Sequence, residues 1–184
     1  MVDIPHIARQ VIREIGYDGK DFNARTSSIL TSLIELPPEA PGADESTLSD
    51  AQIEAVSARN TATLFGYACT QTPAFLPLPI WLAHKLARRL SAVRLTLQLP
   101  YLRPDAKAQV AVVFRNRRPV RIHSLTLLVS HTARGVPPAA QLEQALREHV
   151  IEPVFRDEPV RPDADTRVYV NPEGPFEIGG PSVH

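Results

Sequence analysis

The chain has 184 residues, 43% of them hydrophobic, which allows one domain with a full core, or one with a partial second domain, and excludes an intrinsically disordered chain. Twenty Lys and Arg balance 20 Asp and Glu, so the net charge of zero attracts neither nucleic acid nor an anionic membrane, and we expect neither as a partner. A single cysteine, the lack of a signal peptide and the lack of an apolar run of about 18 residues predict a cytoplasmic protein.

The first predicted element is a helix near the start of the chain. Asp3 can cap it, Pro5 is tolerated in its first turn, and Gly16 can end it. Its apolar positions recur at helical spacing: Ile4, Ile7, Ala8, Val11 and Ile15. Residues 26–36 (TSSILTSLIEL) are β-branched and alternating, which predicts a strand, whereas the acidic, proline-rich residues 37–50 predict a loop. Residues 51–70 fit a helix or a strand.

A long helix is predicted from Pro79, because one apolar stripe continues over about four turns. The stripe consists of Leu82, Leu86, Leu90, Val93 and Leu97. Four basic residues lie off it: Lys85, Arg88, Arg89 and Arg94. Such a face can bind an anion, but a solvated face is the more common reason for the pattern.

The second half of the chain predicts a hairpin, a helix and a strand. Residues 107–114 and 120–131 read as two strands joined by the polar turn 115–119. A helix near 138–151 and a strand at 166–172 follow. This order predicts an α+β fold, with helices packed on one face of a mostly antiparallel sheet. Because the strands are apolar on both faces, we expect a homodimer that buries the second face.

Asp105 and Lys107 lie two positions apart at the entrance to the first of these strands, so in an extended segment both project to one face. Such a pair suits a polar ligand with both signs of charge, for example a nucleotide, although a strand-end ion pair gives the same pattern. In the glycine-rich stretch 173–181 the backbone can approach a ligand closely, and Phe176 could stack on a base. No metal-ligand spacing and no Walker motif is visible.

Several segments resemble the S-adenosylmethionine synthetase (methionine adenosyltransferase) family. They occur in the family's order and cover most of the chain outside residues 37–60. The segments are VIREIGYD (11–18), LFGYACTQTP (64–73), LPLPIWLAHKLARRLSAVR (76–94), LPYLRPDAKAQV (99–110) and VNPEGPFEIGGP (170–181). The resemblance implies the family's central α+β domain at 71–184. It makes 1–70 a partial N-terminal segment that carries the proline-rich loop at 37–50.

The resemblance also implies site residues and a ligand. The family's LRPDAK aspartate and lysine, which contact the substrate nucleotide, map onto Asp105 and Lys107. The segment before the family's IGGP lines the nucleotide pocket, with its aromatic residue near the adenine. It maps onto Glu173, Gly174 and Phe176, and Pro175 replaces an arginine. ATP or another nucleotide is therefore the implied ligand.

Other family motifs are altered or have no counterpart in this sequence. SARNTA (57–62) stands in place of GAGDQG, so Asn60 occupies the position of an acid and is a third, weak catalytic candidate beside Asp105 and Lys107. Leu36 replaces a glutamine that helps to hold methionine. The family's HPDK segment, with a catalytic histidine and a magnesium-binding aspartate, and its later arginine and lysine cluster have no match. Because expelling triphosphate needs metal ions and several cations, we expect no methionine adenosyltransferase activity from this chain alone.

Three functions fit this combination of a preserved core and an altered site. The first is a repurposed small-molecule-binding protein or small enzyme, with its pocket at the dimer interface. The second is a non-catalytic regulatory or partner subunit of a complete S-adenosylmethionine synthetase. The third is one half of a split synthetase, against which the SARNTA sequence argues, since a split enzyme should keep its acid. A decayed fragment is disfavoured by the regular patterns at 82–97 and 107–129.

Overall fold

A computed structural model describes residues 2–20, 22–34, 49–55, 62–177 and 179–181. The predictions for residues 35–48 and for Asn60 lie outside these ranges. The elements in chain order are α1 (Ile4–Ile15), α2 (Asp50–Glu54), α3 (Leu78–Leu95), β1 (Leu102–Arg115), β2 (Arg118–His131), α4 (Ala139–Leu146), a π-helical turn (Arg147–Ile151), α5 (Glu152–Phe155) and β3 (Arg167–Val170). Across the described residues, the structure contains no helix long and apolar enough to span a membrane.

Within the described residues, the sheet consists of three strands in the order β1-β2-β3. β1 and β2 form the predicted antiparallel hairpin, and β3 adds to the other side of β2 in parallel. In the register, Val110 faces Leu125, and Leu125 faces Val168, so one apolar row crosses all three strands. The pairing skips His123 and Val120 of β2, which marks two bulges near the hairpin end.

The helices cover one face of this sheet, as the α+β prediction required. α3 buries Leu78, Leu82, Leu86, Leu90 and Val93 against it. The helix after the hairpin passes from α4 through the π turn into α5 without a break, and its apolar face completes the core. That face is formed by Leu142, Leu146, Val150, Ile151, Val154 and Phe155. The sheet and helices therefore form one continuous core, and the exposed residues 113–118 at the hairpin turn lie outside it.

The predicted apolar stripe of the long helix includes one residue, Leu97, that lies beyond the end of the helix. The helix ends at Leu95, and Leu97 adopts a left-handed backbone (φ 58°) with 71% of its surface exposed. Because the backbone leaves the helix before Leu97, that side chain does not lie on the buried face.

The predicted strand at 26–36 is wrong for its described part, residues 26–34, which form neither helix nor strand. Leu30 is 96% exposed and Ile34 is 88% exposed. A strand needs a hydrogen-bonded neighbour, and the structure pairs this segment with no strand among the described residues. The ambiguous stretch 51–70 begins with the end of α2, whereas residues 62–69 have no regular structure.

The basic residues of α3 hold it to its neighbours. Lys85 pairs with Glu158, the Arg89 Nε donates to the carbonyl of His149 at 2.7 Å, and Arg94 donates to the carbonyl of Ile15. Three of the four predicted off-stripe cations are therefore engaged in contacts within the chain, which argues against an anion site on this helix.

Candidate functional site

The end of α1 places an aromatic side chain beside the entrance of β1. The Asp3 carboxylate caps the start of the helix by accepting from the His6 N–H at 2.9 Å. Gly16 ends it in the left-handed conformation (φ 93°). The Arg94 guanidinium of α3 donates to the Ile15 carbonyl at 2.8 Å and lies against Gly16 so closely that a Cβ there would be 2.7 Å from Arg94 Nη1. The residue that follows, Tyr17, therefore leaves the helix in a defined direction.

Tyr17 reaches the predicted site residue Asp105. Its phenol donates to Asp105 Oδ1 at 2.8 Å, and its ring packs edge-on against Phe22 with the centroids 5.3 Å apart. Burial, then the hydrogen bond to Asp105 and the negative charge of that carboxylate, raise the pKa of Tyr17 to about 12, against a smaller opposite effect of Arg94. Tyr17 is therefore a protonated donor at neutral pH.

The glycine-rich segment also packs against Asp105. The His131 N–H donates to the Phe176 carbonyl at 3.0 Å, which ties this segment to the end of β2. A Cβ added at Gly179 would lie 2.9 Å from the Phe176 ring and 3.0 Å from Asp105 Cβ, and one at Gly180 would lie 2.8 Å from Asp105 Oδ2. The backbone therefore passes the carboxylate at a distance that leaves no room for a side chain.

A cavity of about 80 Å³ opens beside this carboxylate. Its lining comes from the turn after α1, the start of β1, the end of β2 and the C-terminal segment. It consists of Gly16, Tyr17, Asp18, Gly19, Phe22, Arg103, Pro104, Asp105, Ser130, Glu177 and Gly179. The Ser130 hydroxyl also donates to the Asp105 carbonyl at 2.8 Å, so both the backbone and the side chain of Asp105 are held.

The other predicted site residues are more dispersed. Phe176 packs behind Asp105 and Gly179 rather than lining this cavity. Gly174 lines a second cavity, of about 450 Å³, between the start of α4 and the segment after β3. Lys107 and Glu173 are exposed, and within the described ranges the structure records no hydrogen bond or ion pair for Lys107. The structure thus brings Phe176 and Asp105 to the same glycine, Gly179, whereas Lys107 and Glu173 are exposed and Gly174 lines the second cavity.

Sequence reasoning did not single out Tyr17, Phe22 or Arg103. Tyr17 lies 88 residues before Asp105, and no periodicity connects positions so far apart. The signal available was that VIREIGYD contains this tyrosine and is among the segments that resemble a family.

The chemistry of the cavity is that of a polar binding site. Asp105, Asp18 and Glu177 supply carboxylates that accept hydrogen bonds from hydroxyl or ammonium groups, and Arg103 supplies a cation. Among the residues that the structure covers, no three His, Cys, Asp or Glu side chains lie close enough together to hold a metal ion. The side chains of the site can therefore bind hydroxyl-rich or charged small molecules.

The chain is similar to proteins of known family. Residues 55–176 match the model of the S-adenosylmethionine synthetase central domain. The chain is 43% identical to an S-adenosylmethionine synthase of Thermosynechococcus vestitus over 98% of its own length and 47% of that protein. It is 39% identical to a synthase of the same name from Rippkaea orientalis, again over 98% of this chain and 46% of that protein. The chain thus spans about half the length of the curated relatives it matches.

Proposed function

The chain belongs to the S-adenosylmethionine synthetase family, and from that premise we propose that it binds a nucleotide or a related polar small molecule beside Asp105. One observation carries the proposal: the Asp105 carboxylate lies at a cavity, held by the Tyr17 phenol and packed against the Gly179–Gly180 backbone. A strand-end ion pair kept only by ancestry needs no such enclosure. A strand-end ion pair would also join Asp105 to Lys107, and among the described residues the structure contains no ion pair between the two.

The proposed roles follow from charge and position. Asp105 accepts hydrogen bonds from ligand hydroxyl groups, such as those of a ribose. Lys107, two residues further along β1, supplies a cation for a phosphate group. The ring of Phe176, against Asp105 and Gly179, supports the wall of the site. Lys107 is exposed in the single chain, so we propose that a second copy covers it and that the pocket lies at a homodimer interface.

We propose that the chain alone does not make S-adenosylmethionine. Asn60 stands where the family's acid is expected, and Pro175 replaces the arginine expected beside Phe176. The arginine that Pro175 replaces would be a donor to developing negative charge, and losing one such donor lowers a rate by about 10²–10³. With ATP, methionine, magnesium and potassium, the purified chain should form no S-adenosylmethionine above background. Turnover would show that these two positions are not needed for the family's reaction.

The binding proposal is tested by calorimetric titration with ATP. Lys107→Ala should weaken binding by roughly 10- to 150-fold, the effect of losing a charge-assisted hydrogen bond, and should leave the melting temperature of the free protein unchanged. Arg115→Ala, at the far end of β1, is the matched control and should bind like the wild type. No ATP binding by the wild type at millimolar concentration would contradict the proposal, as would equal effects of the two substitutions.

A further inference from the structure

We infer that Tyr17 is a positioning residue for Asp105: its phenol holds the carboxylate in one orientation at the cavity. This inference rests on the proposed ligand site and adds a residue that neither the motifs nor the comparisons assign. Tyr17 belongs to the turn after α1, whereas Asp105 belongs to β1, so the orientation of the carboxylate depends on the docking of the N-terminal helix.

Two groups restrain the carboxylate. Tyr17 donates to Oδ1 at 2.8 Å. A Cβ at Gly180 would lie 2.8 Å from Oδ2 and 3.0 Å from Tyr17 Cε1, so the Gly180 backbone packs against both the carboxylate and the phenol ring. With Ser130 also holding the Asp105 carbonyl, rotation of the side chain would break the phenol hydrogen bond or strike the backbone.

Tyr17 can perform this role because its own position is fixed. Arg94 of α3 binds the last carbonyl of α1 and lies against Gly16, and Phe22 packs against the phenol ring. α1 has no buried residue, so burial of an apolar face does not hold it. The polar contact between Arg94 and the Ile15 carbonyl at its C-terminal end connects it to α3. The contacts therefore run from α3 through the end of α1 to the Asp105 carboxylate.

The carboxylate sets the class of ligand group that Asp105 receives, because an ionised carboxylate can only accept hydrogen bonds. Tyr17 occupies one acceptor site on Oδ1 and leaves the other sites of the carboxylate to the ligand. The matching ligand group is a donor, such as a sugar hydroxyl or an ammonium, and not a phosphate or a carboxylate. A phosphate group of the same ligand would be bound elsewhere, by a cation.

The experiment uses Tyr17→Phe, which removes the hydroxyl and keeps the ring against Phe22. The probes are adenosine, which carries the ribose hydroxyls without phosphate, and ATP, both titrated by calorimetry. Tyr17→Phe should weaken both probes by the same factor, about 3- to 10-fold for one mispositioned hydrogen-bond acceptor. In the Asp105→Asn background the same substitution should have no further effect, because a positioning residue acts through the group it positions. Tyr67→Phe, an exposed tyrosine, is the control and should change nothing.

A second measurement needs no ligand. Absorbance titration of the four tyrosines should show one step near pH 12 that Tyr17→Phe removes and Asp105→Asn moves towards lower pH. If Tyr17→Phe binds both probes like the wild type, or if its effect persists in the Asp105→Asn background, the positioning role is wrong even though the ligand site stands. If the wild type binds neither probe, the proposed function fails, and the titration decides the Tyr17–Asp105 contact separately. If Asp105→Asn leaves the Tyr17 step at the same pH, the inference is wrong.

Discussion

The Lys85 ammonium lies 2.5 Å from the Glu158 carboxylate, 73 residues away in the chain. Glu158 is 7% exposed, and the same carboxylate oxygen accepts from the Trp81 indole N–H at 3.1 Å. Lys85 also lies over the Trp81 ring, 5.4 Å from its centroid. These contacts join α3 to the loop after α5, so a buried acid is compensated by a cation and a neutral donor of one helix.

Replacing Lys85 should destabilise the fold, because Glu158 would remain as a buried carboxylate without its cation. We expect Lys85→Ala to lower the free energy of unfolding by about 1–3 kcal/mol, below the value for a fully buried pair, since the Lys85 side chain is 33% exposed. Urea unfolding measures the change. Arg88→Ala on the exposed face of α3 should cost less than about 0.5 kcal/mol. Equal costs would mean that the pair contributes nothing specific.

A leucine-to-alanine substitution should cost much more stability in the core than in the exposed segment before α2. Leu125 is fully buried at the centre of β2, whereas Leu30 is 96% exposed. We expect Leu125→Ala to cost about 2–5 kcal/mol, from lost burial and the cavity left behind, and Leu30→Ala to cost less than about 0.5 kcal/mol. Thermal and urea unfolding test both. A large loss from Leu30→Ala would show that residues 26–34 are packed in solution.

Local patterns predicted the elements whose stabilising contacts are close in sequence. The α1 cap and terminal glycine, the buried stripe of α3 and the two-strand hairpin could all be identified because each leaves a periodic or positional signal. The same method failed at 26–34, where alternation is present and a pairing strand is not found among the described residues. It also failed at Leu97, because periodicity cannot show where a backbone turns out of its helix.

The candidate site was predictable in part. Spacing singled out Asp105, and the glycine-rich stretch indicated that backbone would lie near a ligand; the structure brings the two together. The phenol that holds Asp105 was not predictable from local pattern, because it comes from a turn 88 residues away and depends on the docking of α1 against Arg94. Contacts between remote segments are set by tertiary packing, which a single sequence does not record.

Asp163 should give the protein an acid-sensitive contribution to stability. Partial desolvation raises the pKa of this carboxyl, but the Thr166 hydroxyl at 2.9 Å, Arg121 and two backbone N–H groups together hold it below its usual value of 3.8. A carboxyl with a lowered folded pKa stabilises the fold above its unfolded pKa, and the contribution is lost as pH falls through the folded value. Asp163→Asn should therefore lower the urea midpoint at neutral pH, with the difference shrinking below about pH 4.

The control for this prediction is Asp157→Asn, at an exposed acid outside the Asp163 cluster, which should not change the pH dependence. A difference between Asp163→Asn and the wild type that stays constant from neutral to strongly acidic pH would mean that the effect is not electrostatic.

We expect the protein to be a homodimer that buries the face of the sheet opposite the helices. On that face Val113 of β1 is 38% exposed, Tyr169 of β3 is 41% exposed, and Leu128 of β2 is half-buried. Lys107 lies on the same strand as Val113, two residues from Asp105, so the same contact would cover the proposed ligand site.

Sedimentation equilibrium tests this interface and should give a dimer at micromolar concentration. Val113→Glu should weaken the dimer by at least about tenfold, because a charge would enter an apolar contact. Leu97→Glu, at an exposed leucine outside the sheet, should not. A wild-type monomer, or a dimer broken equally by both substitutions, would exclude this interface and the proposed position of the pocket within it.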